Sequence, residues 1–127
     1  MKVILVDDSA TVRMIIRKHL VTQGFDTIVD AKHGQDALDQ LAAGGIAPDL
    51  ALVDWNMPVM SGLDFVKAVR QLPAFSTMRI VMVTTEGSEK VQTALDAGAH
   101  GYITKPFTAD KLADQLRRIG FTLRAAG

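Results

Sequence analysis

The sequence predicts an α/β fold in which five parallel strands alternate with five helices. Two observations lead to this prediction. Short runs rich in β-branched residues recur five times, and stretches with apolar residues at helical spacing lie between them. This alternation is typical of a parallel sheet that is covered by helices on both faces. Because crossover connections are right-handed, few topologies remain, and we predict the doubly wound strand order 2-1-3-4-5.

Each strand candidate is a short apolar run that ends in polar or turn-forming residues. The runs are Val3–Val6, Thr27–Val29, Leu50–Val53, Ile80–Thr84 and Tyr102–Thr104. The helical spacings between them begin at Val12, Ala37, Leu63, Val91 and Leu112. N-caps are predicted at Ser9, Ser88 and Thr108, and helix ends at Gly24, Gly44 and Gly98. The whole pattern is that of a flavodoxin-like (βα)5 domain, whose tail Phe121–Gly127 either extends the last helix or frays.

Length and composition narrow the class of protein. The chain has 127 residues, so we expect a single domain over residues 1–127. Lys plus Arg number 14, as do Asp plus Glu, and this balance argues against a nucleic-acid partner. The absence of cysteine excludes thiolate metal sites and cysteine nucleophiles. No apolar stretch is long enough for a membrane span or a signal peptide, so we expect a cytoplasmic protein without membrane insertion.

The basic residues of the predicted helices do not form one cluster along the sequence. We interpret them as lining solvated helix faces; they are Arg13, Arg17, Lys18, Arg117 and Arg118. The three histidines fall in separate segments and are interpreted as surface or partly buried residues, neither phosphate donors nor metal ligands; they are His19, His33 and His100.

Polar residues suited to chemistry stand at the ends of four predicted strands. Asp7 and Asp8 follow the first strand, Asp54 follows the third, Thr84 ends the fourth and Lys105 follows the fifth. In doubly wound folds the ligand site lies beyond the carboxyl ends of the strands, where the strand order reverses. We therefore expect three carboxylates, one hydroxyl and one ammonium to converge at this edge of the sheet.

Three adjacent carboxylates repel one another unless a cation lies among them. Mg²⁺ fits this set because it prefers oxygen ligands, and without cysteine or paired histidines a soft metal is not expected. Asp54 lies on the central strand, so it is the predicted nucleophile for a phosphoryl group, with Asp7 and Asp8 serving the metal. Lys105 and Mg²⁺ would supply positive charge, and the Thr84 hydroxyl would donate a hydrogen bond.

Seven short motifs, four of them at strand ends, occur in a particular order and spacing. They are Val6-Asp7-Asp8-Ser9, Asp54-Trp55-Asn56-Met57-Pro58, Met60 with Gly62-Leu63, Met82-Val83-Thr84, Ala97-Gly98-Ala99, Gly101-Tyr102 and Lys105-Pro106-Phe107-Thr108. In this order they resemble the receiver domains of two-component response regulators, and most of all the stand-alone chemotaxis regulators. The resemblance runs from about Lys2 to Ile119, and four matching strand-end motifs make it very specific.

The resemblance implies a signalling domain, not an enzyme with a separate substrate, although such a domain catalyses its own phosphorylation and autodephosphorylation. It implies that Asp54 accepts a phosphoryl group from the phosphohistidine of a histidine kinase. It also implies that Mg²⁺ is bound by Asp7, Asp8, Asp54 and the backbone carbonyl of Asn56. Lys105 is expected to contact the phosphate.

The resemblance further assigns a conformational switch to Thr84 and Tyr102, and an influence on the lifetime of the phosphate to Asn56 and Glu86. The sequence departs from the best-known member of the family next to these residues. Thr85 replaces a small alanine and is expected to narrow access to Asp54. Two further departures, at sites expected to affect partner docking, are Ser9 and Ser61.

Several functional classes remain open. The favoured one is a phosphorylation-controlled interaction module, because the chain ends soon after the fifth helix. Its output surface would be the fourth helix, fifth strand and fifth helix. The expected partners are a histidine kinase, a flagellar motor switch protein and a phosphatase, with the protein itself a monomer.

The runner-up is a phosphorelay shuttle, and a receiver that only binds is disfavoured by the intact Asp and Lys set. A phosphatase of the haloacid dehalogenase type is disfavoured because the first strand lacks the Asp-x-Asp pattern.

Overall fold

The strands form one parallel sheet in the computed structural model, which describes residues 1–44, 46–85 and 90–123. They are β1 (Lys2–Val6), β2 (Thr27–Ala31), β3 (Leu50–Asp54), β4 (Arg79–Thr84) and β5 (Gly101–Thr104). Their order in the sheet is β2-β1-β3-β4-β5, which confirms the predicted fold class and topology. Each strand is one or two residues longer than its apolar run, because ladder pairing continues beyond the run at one end.

The helices lie on both faces of the sheet, as the alternating pattern predicts. They are α1 (Ala10–Thr22), α2 (Gly34–Ala42), α3 (Gly62–Arg70), α4 (Val91–Ala97) and α5 (Ala109–Arg118), with a short 3₁₀ helix at Pro73–Phe75. Apolar residues of α1 and α5 pack on one face, and those of α2, α3 and α4 pack on the other. Because both faces are covered, every residue of β3 is buried. Among the described helices, none is both long and apolar enough to cross a membrane.

Side chains cap the N-termini of several of these helices by accepting backbone hydrogen bonds. The predicted N-caps Ser9 and Thr108 are confirmed, since each side chain accepts a bond from the backbone N–H three residues later. Ser88 lies outside the described residues. Two further caps, His33 before α2 and Ser61 before α3, were not predicted. At His33 the acceptor is the ring Nδ1, a cap that the usual sequence preferences do not indicate.

The predicted helix ends lie at glycines with positive φ. Gly24, Gly44 and Gly98 have φ angles of 104°, 75° and 117°, which side chains rarely tolerate. Gly120, with φ 106°, ends α5 in the same way. After it, the Phe121 N–H donates to the carbonyl of Leu116, and its ring centroid lies 5.7 Å from that of Phe25. The tail therefore turns back onto the domain at this point and does not extend α5, while residues 124–127 lie outside the described part.

Candidate functional site

The carboxyl edge of the sheet brings the predicted strand-end residues together. Asp7 directly follows β1, Asp54 and Thr84 are the last residues of β3 and β4, and Lys105 directly follows β5. A backbone hydrogen bond joins two of these ends, because the Lys105 N–H donates to the Thr84 carbonyl over 2.7 Å. Four adjacent parallel strands thus present their polar ends at one edge.

Three carboxylates form an acidic cluster at this edge. One oxygen from each of Asp7, Asp8 and Asp54 lies within 4.8 Å of the others. Asp7 and Asp54 are only 3% and 7% exposed, whereas Asp8 is exposed. An all-oxygen set of this kind fits a hard divalent cation such as Mg²⁺. Asn56 lies in the exposed loop after β3, and the role of its backbone carbonyl stays a prediction.

Lys105 supplies the positive charge that this cluster needs. Its Nζ lies 3.1 Å from Asp7 Oδ2 and 3.4 Å from Asp54 Oδ1. Burial lowers the pKa of Lys105, but the hydrogen bond and charge of Asp7, with the charge of Asp54, outweigh it and raise the pKa above the usual value. The ammonium is therefore held in its charged form between two carboxylates. The peptide bond from Lys105 to Pro106 is cis.

The Asp54 carboxyl has a raised pKa. Burial is the main cause, and the negative charges of Asp7 and, to a lesser degree, Asp8 act in the same direction. Lys105 opposes them without cancelling them. Ionised Asp54 is therefore electrostatically destabilised in the metal-free protein, and an added cation would relieve this.

Arg13 contacts the end of β1, which differs from the predicted position of this residue on a solvated helix face. The sequence predicts a solvated side chain, but that of Arg13 is only 12% exposed. A guanidinium N–H of Arg13 donates to the backbone carbonyl of Asp7, and its Nε lies 3.6 Å from Asp30 Oδ2. Arg17 contacts the same Asp30 carboxylate over 2.6 Å. Arg13 turns inward because it follows Asp7 by six residues, which places it one turn into α1 above the strand end.

Gly62 fixes the loop that follows Asp54. Its N–H donates to the Trp55 carbonyl over 2.8 Å. A Cβ at this position would lie 2.2 Å from the Asp54 carbonyl oxygen, so any side chain would displace the strand end that carries the predicted nucleophile. Between Asp54 and Gly62, Val59 has a φ of 72° and is 81% exposed in the loop.

The predicted switch residues line one narrow cavity, which is too small to hold a water molecule. Thr84 is 2% exposed, and Tyr102 is half-buried against the core. Trp55 is 7% exposed, and the Lys90 ammonium lies 5.2 Å from its ring centroid. Besides these four residues, the cavity is lined by Met82, Val91 and Ala94. The structure thus places Thr84 and Tyr102 at one space, while their switching role stays a prediction.

The positions that depart from the family pattern have different surroundings. Ser9 and Ser61 cap α1 and α3, so both have a structural role in this chain. Thr85 is exposed and borders, with Lys105, an apolar cleft that is formed mainly by α1 and the segment after β5; its other lining residues are Val12, Ile15, Ile16, Pro106 and Phe107. The effect of Thr85 on access to Asp54 stays a prediction. Glu86 lies outside the described residues.

This sheet order, with acidic and lysine residues at its carboxyl edge, defines the class to which the chain belongs. The chain matches the family model of the response regulator receiver domain over residues 3–117. It therefore belongs to this family, the receivers of two-component systems. Its curated relatives include the chemotaxis protein CheY1 of Helicobacter pylori, 45% identical over 91% of this chain and 94% of that protein. The CheY homolog of Campylobacter jejuni is also 45% identical, over 94% of this chain and 92% of that protein.

Solved structures agree with this assignment. The chain is similar to the chemotaxis response regulator CheY4 of Vibrio cholerae, with a TM-score of 0.84 and 39% identity. The likeness covers 93% of this chain and 97% of that one. The chain is therefore a CheY-like response regulator receiver.

Proposed function

We propose that this receiver accepts a phosphoryl group on Asp54 from the phosphohistidine of a histidine kinase, and that the phosphorylated form binds a flagellar motor switch protein. The observation that carries the proposal is the placement of Lys105 between the buried carboxylates of Asp7 and Asp54. Such a site holds a reactive carboxylate next to fixed positive charge, which phosphoryl transfer requires.

Mg²⁺ is the proposed cofactor. Asp7 and Asp8 would hold it, with Asp54 and the backbone carbonyl of Asn56, and the carboxylate cluster fits such an ion. When bound, it supplies positive charge to the phosphoryl oxygens. It would also offset the negative charges of Asp7 and Asp8, which add to the effect of burial in raising the pKa of Asp54.

In the proposed transfer, a carboxylate oxygen of Asp54 attacks the phosphorus of the donor and forms an acyl phosphate. The bond between phosphorus and the imidazole nitrogen breaks, and that nitrogen keeps the electron pair. Lys105 moves its contact from the carboxylates toward the new phosphoryl oxygens, and the Thr84 hydroxyl donates to them. Later, water attacks the phosphorus, the Asp54 oxygen leaves and inorganic phosphate is released. We propose that Asn56 and Glu86 tune the rate of this last step.

The output we propose is a change of the surface formed by α4, β5 and α5. Thr84 moves toward the phosphoryl group, and Tyr102 turns into the space that Thr84 vacates. Support comes from the cavity that both residues line and from the place of Tyr102 on β5. A two-state change of this kind needs only a few kcal/mol of differential stabilisation.

Chemotaxis is the proposed pathway because the similar curated relatives are named chemotaxis proteins. The partners would be a histidine kinase, the motor switch protein and a phosphatase, and the protein would act as a cytoplasmic monomer with one domain. The apolar cleft beside Lys105 offers a protein donor a surface to bury next to the phosphoryl site. A phosphorelay shuttle would instead pass the phosphoryl group to the histidine of a second protein. Transfer of ³²P from the labelled receiver to such a protein would distinguish the two functions.

A small phosphodonor tests the central step without the kinase. Wild type, Asp54→Asn and the exposed control Asp39→Asn are incubated with acetyl phosphate, with Mg²⁺ or with EDTA, and their intact masses are measured. We expect one added phosphoryl group on wild type and Asp39→Asn in Mg²⁺ only, and none on Asp54→Asn. Phosphorylation of Asp54→Asn at the wild-type rate would overturn the assignment.

A further inference from the structure

Lys90 makes a contact that neither the strand-end motifs nor the proposed phosphoryl chemistry explains. It immediately precedes α4, and its ammonium lies 5.2 Å from the ring centroid of Trp55. This distance is within the range of a cation–π interaction, which is strongest for tryptophan. Trp55 is buried and directly follows Asp54, so the contact ties the start of α4 to the end of β3.

The same two residues form part of the wall around the cavity between Thr84 and Tyr102. Lys90 and Trp55 line it on the side of α4 and β3, and Tyr102 lines it from β5. This space is too small to hold a water molecule, so the Tyr102 ring can turn inward only if the side chains around it move. The position of the Lys90 side chain therefore limits the room that the ring can enter.

We propose that Lys90 is a positioning residue, which holds the start of α4 against Trp55 and thereby favours the half-buried resting position of Tyr102. The inference rests on the proposed switch, because it assigns Lys90 a part in setting the balance between the two positions of Tyr102. Loss of the ammonium would free the start of α4 and increase the inward population. For an interaction of ordinary cation–π strength, the expected increase is about two- to fivefold.

The charge of Lys90 and its aliphatic stem make separate contributions. Lysine stems generally pack on apolar surface, whereas the ammonium of Lys90 interacts with the indole ring. Lys90→Met keeps a stem of similar size and removes the charge, whereas Lys90→Arg keeps a cation that also stacks on aromatic rings. If the cation sets the balance, the methionine variant changes the position of Tyr102 and the arginine variant does not.

The chain is well suited to this measurement, because it has one tyrosine and one tryptophan. Protein labelled with 3-fluorotyrosine gives a single ¹⁹F resonance, which comes from Tyr102. The change of its chemical shift between H₂O and D₂O reports the exposure of the ring without any phosphodonor. The comparison includes wild type, Lys90→Met, Lys90→Arg and a control, Lys18→Met, whose exposed lysine lies on α1 at the opposite face of the sheet.

In metal-free protein we expect a smaller solvent-isotope shift for Lys90→Met, which corresponds to a larger inward population, and wild-type values for Lys90→Arg and Lys18→Met. Equal shifts for the methionine and arginine variants, or no change in either, would overturn the inference. Wild type treated with beryllofluoride and Mg²⁺ tests the proposed switch separately. If its resonance does not move, the switch is wrong, whereas the comparison of resting variants still decides the role of Lys90.

Discussion

Lys105 and Asp7 are joined by a hydrogen bond of 3.1 Å although 98 positions separate them in the sequence. Lys105 follows β5 and Asp7 follows β1, so the bond passes across the ends of β3 and β4, which lie between them in the sheet. The same ammonium lies 3.4 Å from Asp54. One ammonium therefore contacts carboxylates from two different strands and links the carboxyl ends of β1, β3 and β5.

The first prediction concerns the loss of this ammonium. Lys105→Met should lower the free energy of unfolding of the metal-free protein at pH 7 by about 1–3 kcal/mol, because two buried carboxylates lose a charged hydrogen-bond donor. The raised pKa of Lys105 means that its contribution is present below the usual lysine value of 10.5 and is lost as the pH rises through the folded-state pKa. As the pH rises from 7 to alkaline values, the free energy of unfolding should therefore fall less in the variant than in wild type.

Urea melts in EDTA at pH 7 and above pH 10 provide the measurement. Lys18→Met, which removes an exposed lysine from α1, is the matched control and should behave as wild type. A Lys105→Met protein as stable as wild type at pH 7 would contradict the role given to this ammonium.

The second prediction concerns the cost of ionising Asp54. Because its folded-state pKa is raised, the protonated carboxyl is favoured, and stability falls as the pH rises from the usual value of 3.8 through the folded-state pKa. Asp54→Asn cannot ionise, so without metal at pH 7 it should be more stable than wild type by about 1–2 kcal/mol. The difference should vanish below the usual aspartate pKa.

Asp8→Asn should shift stability in the same direction by a smaller amount, since Asp8 is exposed and has the smaller effect on Asp54. Mg²⁺ should stabilise wild type by mass action and stabilise both variants less. Denaturant melts with EDTA or with Mg²⁺, at several pH values, test these points together. If either variant is less stable than wild type in EDTA at pH 7, burial and the neighbouring carboxylates do not destabilise ionised Asp54.

Most of the site could be predicted because parallel strands leave little freedom at their carboxyl edge. Once β1, β3, β4 and β5 are recognised, Asp7, Asp54, Thr84 and Lys105 must lie near one another, whatever the loops do. Arg13 could not be placed in the same way. A helical period indicates which residues share a face, but not which long basic side chain bends over the helix end to reach a strand carbonyl.

The contact between Lys90 and Trp55 was equally inaccessible to pattern analysis. It depends on how the start of α4 packs against the residue after β3, and no apolar period describes that packing. The sequence does not predict the path of the tail either, because Phe121 is compatible with a longer helix and only its packing against Phe25 shows the turn. Local patterns thus predict elements and their ends, whereas side-chain contacts between distant segments require the three-dimensional packing.

The third prediction concerns the coupling of Thr84 to Tyr102. Thr84→Val keeps the shape of the side chain but removes the hydroxyl that is expected to donate to the phosphoryl group. We expect this variant to be phosphorylated on Asp54, as measured by mass, yet to leave the ¹⁹F resonance of labelled Tyr102 at its resting position. Wild type should show a shifted resonance under the same conditions. A full shift in Thr84→Val would show that the hydroxyl does not couple the two residues.

The last prediction uses Trp55, the single tryptophan of the chain, as a reporter of the acidic cluster. Its ring is buried, lies next to the Lys90 ammonium and belongs to the residue after Asp54. A cation that binds the carboxylates changes the local field at the indole, so Mg²⁺ should change the emission in a saturable way. A phosphodonor should then change it further, and the signal should decay after the donor is removed. The double variant Asp7→Asn with Asp8→Asn lacks the proposed metal ligands and should need a much higher Mg²⁺ concentration for the same change. If both proteins respond at equal concentrations, the emission does not report this cluster, and the assignment of Asp7 and Asp8 as metal ligands is wrong.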